Sequence, residues 1–370
     1  MGALRFLLAL SVAYGHAGNF LKFPLVPGDT AVQTFFVISG FYMALVLNEK
    51  YNGPSSYSLF MSNRFARLFP TYLAVLAATV VAGIVAVRFG IVLPFVEAWR
   101  SIASSDFSAK LFLGASQLLI FGQDFYSFLT LKDGALIPWP GFATAPVQLY
   151  PLAPIPQAWT LGIEISFYLI APFIVRRSGV AIASLLFASL VLRLYLQAAY
   201  GFEGDPWSYR FFPSELALFL AGALGYRVYR AHADGQPNGR NIALFAIAIL
   251  CIGAALLVNR WNGMSRVGSV GFLVVASLAI PWLFALTRSN VKDTHLGELS
   301  YPIYICHMLV IWLVEMVFKS PVTLTSGAIM MIGTLALSAV LYLYVDTPVD
   351  RWRQRRFERQ RKRTAELSAA

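Results

Sequence analysis

The chain has 370 residues, 58% hydrophobic and 13% charged, with a mean hydropathy of +0.65. A soluble domain is about 25% charged, so this composition excludes an ordinary soluble enzyme and indicates a polytopic membrane protein. Lys and Arg outnumber Asp and Glu by 29 to 18, but the excess flanks apolar runs and fills the C-terminal stretch, which argues against a nucleic-acid partner.

Runs long enough to span about 30 Å of hydrocarbon lie at 4–22, 31–48, 68–88, 157–175, 179–199, 211–229, 241–259, 267–287, 297–318 and 325–345. They predict an all-α polytopic membrane protein, a single bundle of about ten transmembrane helices over 1–346, with a basic tail at 347–370. Cys251 and Cys306 both fall inside such runs, so neither a disulfide framework nor a thiolate metal site is indicated.

The first run carries Arg5 and His16 eleven residues apart. On a helix that is about three turns and about 16 Å of rise, so both share a face, Arg5 at a membrane edge and His16 near mid-depth. An ionisable group at that depth is a functional candidate by default; a histidine hydrogen-bonded to a neighbouring helix is the bland alternative. An Arg ahead of an apolar run also resembles a signal peptide, but a histidine inside the run argues against one.

With the N-terminus inside, the short inner connections hold Lys50, Arg64, Arg67, Arg176, Arg177, Arg227, Arg230, Arg240, Arg288 and Lys292. The stretch 351–363 adds eight Arg or Lys against one Glu. Both termini are therefore expected to be cytoplasmic, the tail touching anionic lipid headgroups. Arg64 and Arg67, three residues apart before Pro70, share a helix face on the side of Arg5. Three guanidiniums there form a plausible phosphate clamp, although positive-inside topology alone also places them there.

The connection 89–156 is expected to be an extracytoplasmic or re-entrant segment, with the short apolar stretch Leu111 to Phe121 re-entrant or interfacial. It leads into PWPGFATAPVQLYPLAPIPQAW (138–159), where Pro and Gly rule out a continuous helix. Trp139, Phe142 and Tyr150 could stack against an acceptor there, or anchor a loop at the interface. Further on, Glu164 in the fourth run needs a partner, and His307 lies in the ninth. Counted from opposite faces, His16, Glu164 and His307 reach similar depths, and their convergence would make a site. Spacing does not support a metal held by these three, and no Walker, HExxH, GxSxG or dinucleotide glycine pattern is present.

Several stretches, in order, resemble acyltransferase family 3, the bacterial integral-membrane O-acyltransferases. Leu4-Arg5-Phe6 through His16 resembles the family's first-helix motif, FFVISGF (35–41) its second-helix signature, and Arg64-x-x-Arg67 with Pro70 its paired arginines. QAWTLGIEISFYLIAPF (157–173) is similar to its W-S-L-x-x-E-x-x-F-Y-x-x-x-P, LGELSYPIYICH (296–307) to its L-G-x-x-S-Y-x-x-Y-L-x-H, and VDTP (345–348) to its acidic-x-Pro end. Departures are Gly2, where an acid often precedes the arginine, Thr160 in place of serine, and Ile165 in place of a second acid.

The resemblance implies transfer of an acyl group, most often acetyl, from cytoplasmic acetyl-CoA as co-substrate to a hydroxyl of a surface or exported glycan, without a metal. Arg5, Arg64 and Arg67 would hold the donor. His16 would be general base or transient acyl carrier, with Glu164 or His307 as its partner. Trp139, Tyr150 and Trp159 would bind the carbohydrate or lipid-linked glycan acceptor. The expected location is the bacterial inner membrane, multi-pass, with no appended hydrolase-like domain. The other function class consistent with buried His and Glu is a proton-coupled carrier or flippase for a glycan, lipid or small acid.

Overall fold

The computed structural model describes residues 1–23, 25–51, 56–232, 266–318 and 322–369. The predicted span 241–259, with Arg240 and Cys251, lies outside the described residues. The bundle is built from α1 (Gly2–His16), α2 (Gly28–Glu49), α3 (Ser56–Arg88), α6 (Trp159–Ile174), α7 (Gly179–Tyr200), α8 (Phe212–His232), α9 (Arg266–Thr287), α10 (Val291–Phe318) and α11 (Leu324–Leu341). Two short helices, α4 (Pro94–Ser101) and α5 (Phe107–Leu119), and a hairpin of β1 (Leu129–Lys132) and β2 (Ala135–Pro138) occupy the long connection. A single π-helical turn, Tyr342–Asp346, leads into α12 (Thr347–Ala369). Among the described residues, seven segments are long and apolar enough to cross a membrane: α2, α3, α6 with the three residues before it, α7, α9, α10, and α11 continued into α12.

Contacts between helices fix their directions. Gln33 meets Glu215 and Glu49 meets Tyr226, so α8 runs parallel to α2. Thr30 meets Ser269 and Phe41 meets Phe284, so α9 also runs parallel to α2. The chain thus leaves α8 at one end of the bundle and enters α9 at the other. Met1 beside Asp293 and Arg67 beside Asp350 place the start of α1 and the start of α12 at the same end. That end also holds Arg64, Arg176, Arg177, Arg227 and Arg288, and is called the basic end below.

Two boundaries differ from the sequence expectation for physical reasons. The first helix stops at His16 instead of running to Lys22. Gly18, Asn19 and Lys22 all take positive φ, and the amide of Asn19 reaches back to the carbonyl of Tyr14 to close the helix. The third helix starts twelve residues early, at Ser56, because Pro70 lies inside it and costs one backbone bond without ending it. Arg64 and Arg67 are therefore helical, not in a loop. At the centre, α2 and α8 touch backbone to backbone: a Cβ at Gly40 would run into the carbonyl of Phe219, and one at Gly222 into that of Val37.

In the long connection, α5 does not cross the bundle but reaches its interior. Tyr72, sixteen residues or about 24 Å from the end of α3 at Arg88, donates its hydroxyl to the carbonyl of Gln117 at 2.6 Å and accepts from Gln123 at 2.9 Å. Asp124 follows, 3% exposed, its Oδ1 without a hydrogen-bond partner among the described residues and facing Gly162 of α6. Burial pushes this carboxyl up to about 6. Its protonated form therefore favours the fold below about pH 4, and that contribution is lost as pH rises through 6. Asp124→Asn should remove a penalty of about 3 kcal/mol at pH 7.5 and raise the unfolding midpoint there while leaving it unchanged near pH 4. Equal shifts at both pH values in a melting series would refute this.

Candidate active site

A cavity of about 460 Å³ opens between α1, α2, α3, α6, α10 and α12. Five guanidiniums line it, Arg5, Arg64, Arg67, Arg288 and Arg353, together with Glu164, Asp293, Glu298 and Asp350. The three arginines expected from sequence are therefore gathered in one cavity. They are held differently. Arg5 lies beside the Tyr42 ring, 6.0 Å from its centroid. Arg67 sits 3.3 Å from Asp350 and 3.7 Å from Asp346. Arg64 makes no ion pair among the described residues, and its buried Nε has no hydrogen-bond partner.

Deeper in, Glu164 accepts from Ser39 at 2.7 Å and from Tyr168 at 2.5 Å. The partner demanded by a carboxylate in an apolar helix is thus a pair of hydroxyls, both on Oε1. One turn earlier on α6, Thr160 meets the Tyr304 hydroxyl at 3.0 Å. Tyr304 also lines the cavity, and its ring stands edge-on to His307, centroids 6.0 Å apart.

His307 Nε2 is 3.1 Å from His16 Nδ1. With ring centroids 5.0 Å apart and planes 21° from parallel, the imidazoles meet edge to edge. His307 Nδ1 lies 3.3 Å from the carbonyl of Ile303. A carbonyl only accepts, so Nδ1 of His307 carries the proton and its Nε2 accepts; His16 Nδ1 must then be the donor. This leaves Nε2 of His16 with its lone pair free. His307 is fully buried whereas His16 is exposed.

The two helices that carry these histidines are parallel and in register. Gly2 and Ala3 donate backbone N–H to the Asp293 carboxylate at 2.7 and 2.8 Å, and fourteen residues further along both chains His16 meets His307. Asp293 caps the start of α1, where an anion offsets the unpaired amides. It supplies from α10 the acid that the position of Gly2 lacks.

The three aromatics expected to bind an acceptor are not in the cavity. Trp139 donates to Thr144 at 3.2 Å, Tyr150 packs on Phe142 at 5.5 Å, and Trp159 is buried against Tyr209 with Arg210 4.3 Å over its ring. Sequence reasoning missed Arg288, Arg353, Asp350 and Tyr304. Only Tyr304 had a signal, its place in the His307 stretch.

A family model described as an acyltransferase domain matches residues 1–343. The chain belongs to acyltransferase family 3. The bundle is therefore that of a membrane acyltransferase, and the family's matched region takes in the histidine pair and every cavity residue except Asp350 and Arg353. The acyltransferase is also similar to an uncharacterized protein of Aquifex aeolicus, 26% identical over 52% of this chain and 84% of that protein. A second similar chain is "Protein 2 in picA locus" of Rhizobium radiobacter, 30% identical over 31% of this chain and 60% of that one. No solved structure matches.

Proposed function

We propose that this acyltransferase moves an acyl group, acetyl in the simplest case, from cytoplasmic acyl-CoA to a hydroxyl of a surface or exported glycan, in the bacterial inner membrane. The observation that carries the reading is the alignment of an arginine-lined cavity with an oriented histidine pair. In an extended pantetheine arm, about a dozen chain atoms separate pyrophosphate from sulfur, or about 14 Å at the rise of a polypeptide backbone. The rise from Arg5 to His16 is about 16 Å. Donor phosphates held at the basic end would thus set the thioester near Tyr304 and the histidines, and the basic end would be cytoplasmic.

His16 Nε2 takes the proton from the acceptor hydroxyl as its oxygen attacks the thioester carbonyl. The new ester C–O bond forms, the C–S bond breaks, and the proton returns to the thiolate, leaving free CoA. His307 is a positioning residue that accepts from His16 Nδ1–H and so keeps Nε2 basic. Early termination of α1 leaves His16 exposed, as an acceptor arriving from the far face requires. Glu164, whose Oε1 accepts from Ser39 and Tyr168, is assigned to the donor side of Tyr304, with His307 as the partner of His16.

The test is transfer of label from radiolabelled acetyl-CoA to bacterial polysaccharide or lipid-linked oligosaccharide by the purified protein in detergent. His307→Phe removes the acceptor for His16 Nδ1–H and should slow transfer 10- to 100-fold. His307→Gln, whose amide oxygen can accept that proton, should recover part of the rate. Absence of transfer to any glycan by the wild type, or Gln no better than Phe, would count against the respective assignment.

A further inference from the structure

The C-terminal stretch is expected to touch lipid headgroups, and the first turns of its helix α12 also form a wall of the cavity. Asp350 and Arg353 both line it. One Asp350 carboxylate bridges two guanidiniums from separate elements, with Oδ2 3.3 Å from Arg67 Nη1 on α3 and Oδ1 3.1 Å from Arg353 Nη1 on α12. All three side chains are only 17–19% exposed, so this is a sheltered site and not a solvated surface pair.

The other carboxylates in the cavity wall are occupied by different chemistry. Glu164 holds two hydroxyls, Asp293 caps α1, and Glu298 accepts from Tyr342 at 2.9 Å. Asp350 is the one whose described side-chain partners are both arginines. Arg64, which lines the same cavity, keeps a buried Nε with no hydrogen-bond partner among the described residues. Arg353 Nη1 is only ion-paired to Asp350 and has no hydrogen-bond partner among the described residues, so two neighbouring guanidiniums keep donors that a phosphate can engage. The phosphate has more charge and three acceptor oxygens to offer, so it can engage more than one guanidinium at once.

We infer that Arg353 of the C-terminal helix is a phosphate-binding residue of the donor site, and that Asp350 holds the place of a donor phosphate between Arg67 and Arg353 until the donor arrives. Arg64, Arg67 and Arg353 then form one pocket for the polyphosphate end of the donor, with the tail helix as one of its walls. Binding exchanges the carboxylate for phosphate oxygens and frees Asp350 towards solvent. This inference rests on acyl-CoA being the donor.

The test is equilibrium binding of CoA and of pantetheine, which lacks the phosphates, to the purified full-length protein in detergent at low ionic strength. Thermal melts confirm that each variant is folded. Arg353→Gln should weaken CoA binding about tenfold and leave pantetheine binding unchanged. Asp350→Asn, which keeps the shape but frees both guanidiniums, should tighten CoA severalfold and also leave pantetheine unchanged. Wild-type protein that binds CoA while Arg353→Gln binds it equally well overturns the inference and leaves the donor assignment standing. Weaker CoA binding by Asp350→Asn makes the aspartate a brace and overturns it as well. A wild type that does not bind CoA overturns both the inference and the donor on which it rests.

Discussion

His16→Ala is expected to lower acyl transfer by about 10³-fold, or about 4 kcal/mol of barrier, with CoA binding unchanged. The side chain is exposed and sits at the very end of α1, so its removal opens no hole in the core. The His307 ring it leaves behind retains its bond to the Ile303 carbonyl. Folding should be preserved, and the loss should appear in kcat. A His16→Ala protein that transfers label at the wild-type rate would remove His16 from the chemistry.

The second large effect separates two arginines that look equivalent in sequence. Arg67→Ala should destabilise the protein by about 3–5 kcal/mol, because it strands Asp346, which is 3% exposed and otherwise bonded only to Thr71 among the described residues. Arg64→Ala should leave the unfolding midpoint within about 1 °C, having no carboxylate to strand, and should weaken CoA binding 10- to 100-fold through loss of a charged hydrogen-bonding group. Comparable losses of stability in the two variants, or unchanged CoA affinity in Arg64→Ala, would contradict this division.

The helical bundle was legible because apolar runs of spanning length carry their own signal, and nine of the ten expected runs coincide with described helices. The line Arg5–His16 was legible too, since spacing on one helix needs no tertiary knowledge. What sequence could not give was pairing across the chain. The partner of His16 is 291 residues away, and Arg67 is neutralised from 279 and 283 residues away. Glu164 and His307 looked like rival partners because depth was the only coordinate available; azimuth around the bundle decided between them. The inward face of the tail was not legible: its charge density points to lipid headgroups and says nothing of Asp350 and Arg353, which its first turns place in the cavity wall. The end of α1 was foreshadowed by Gly15 and Gly18, but an apolar run continuing to Leu21 concealed it.

The register between α1 and α10 has a consequence for how reactants meet. The two helices are tied at Asp293 and again at His307, with the same residue offset at both points, so neither can slide or rotate without breaking a tie. The height of the histidines above the basic end is thus measured out in whole peptide rises before any substrate enters. In the proposed reaction a donor docked at that end would need no search along the axis. Its thioester and the basic nitrogen would behave as two reactants confined to one small volume, and the high effective concentration this creates would be a property of the folded helix pair and not of the closing of a flap.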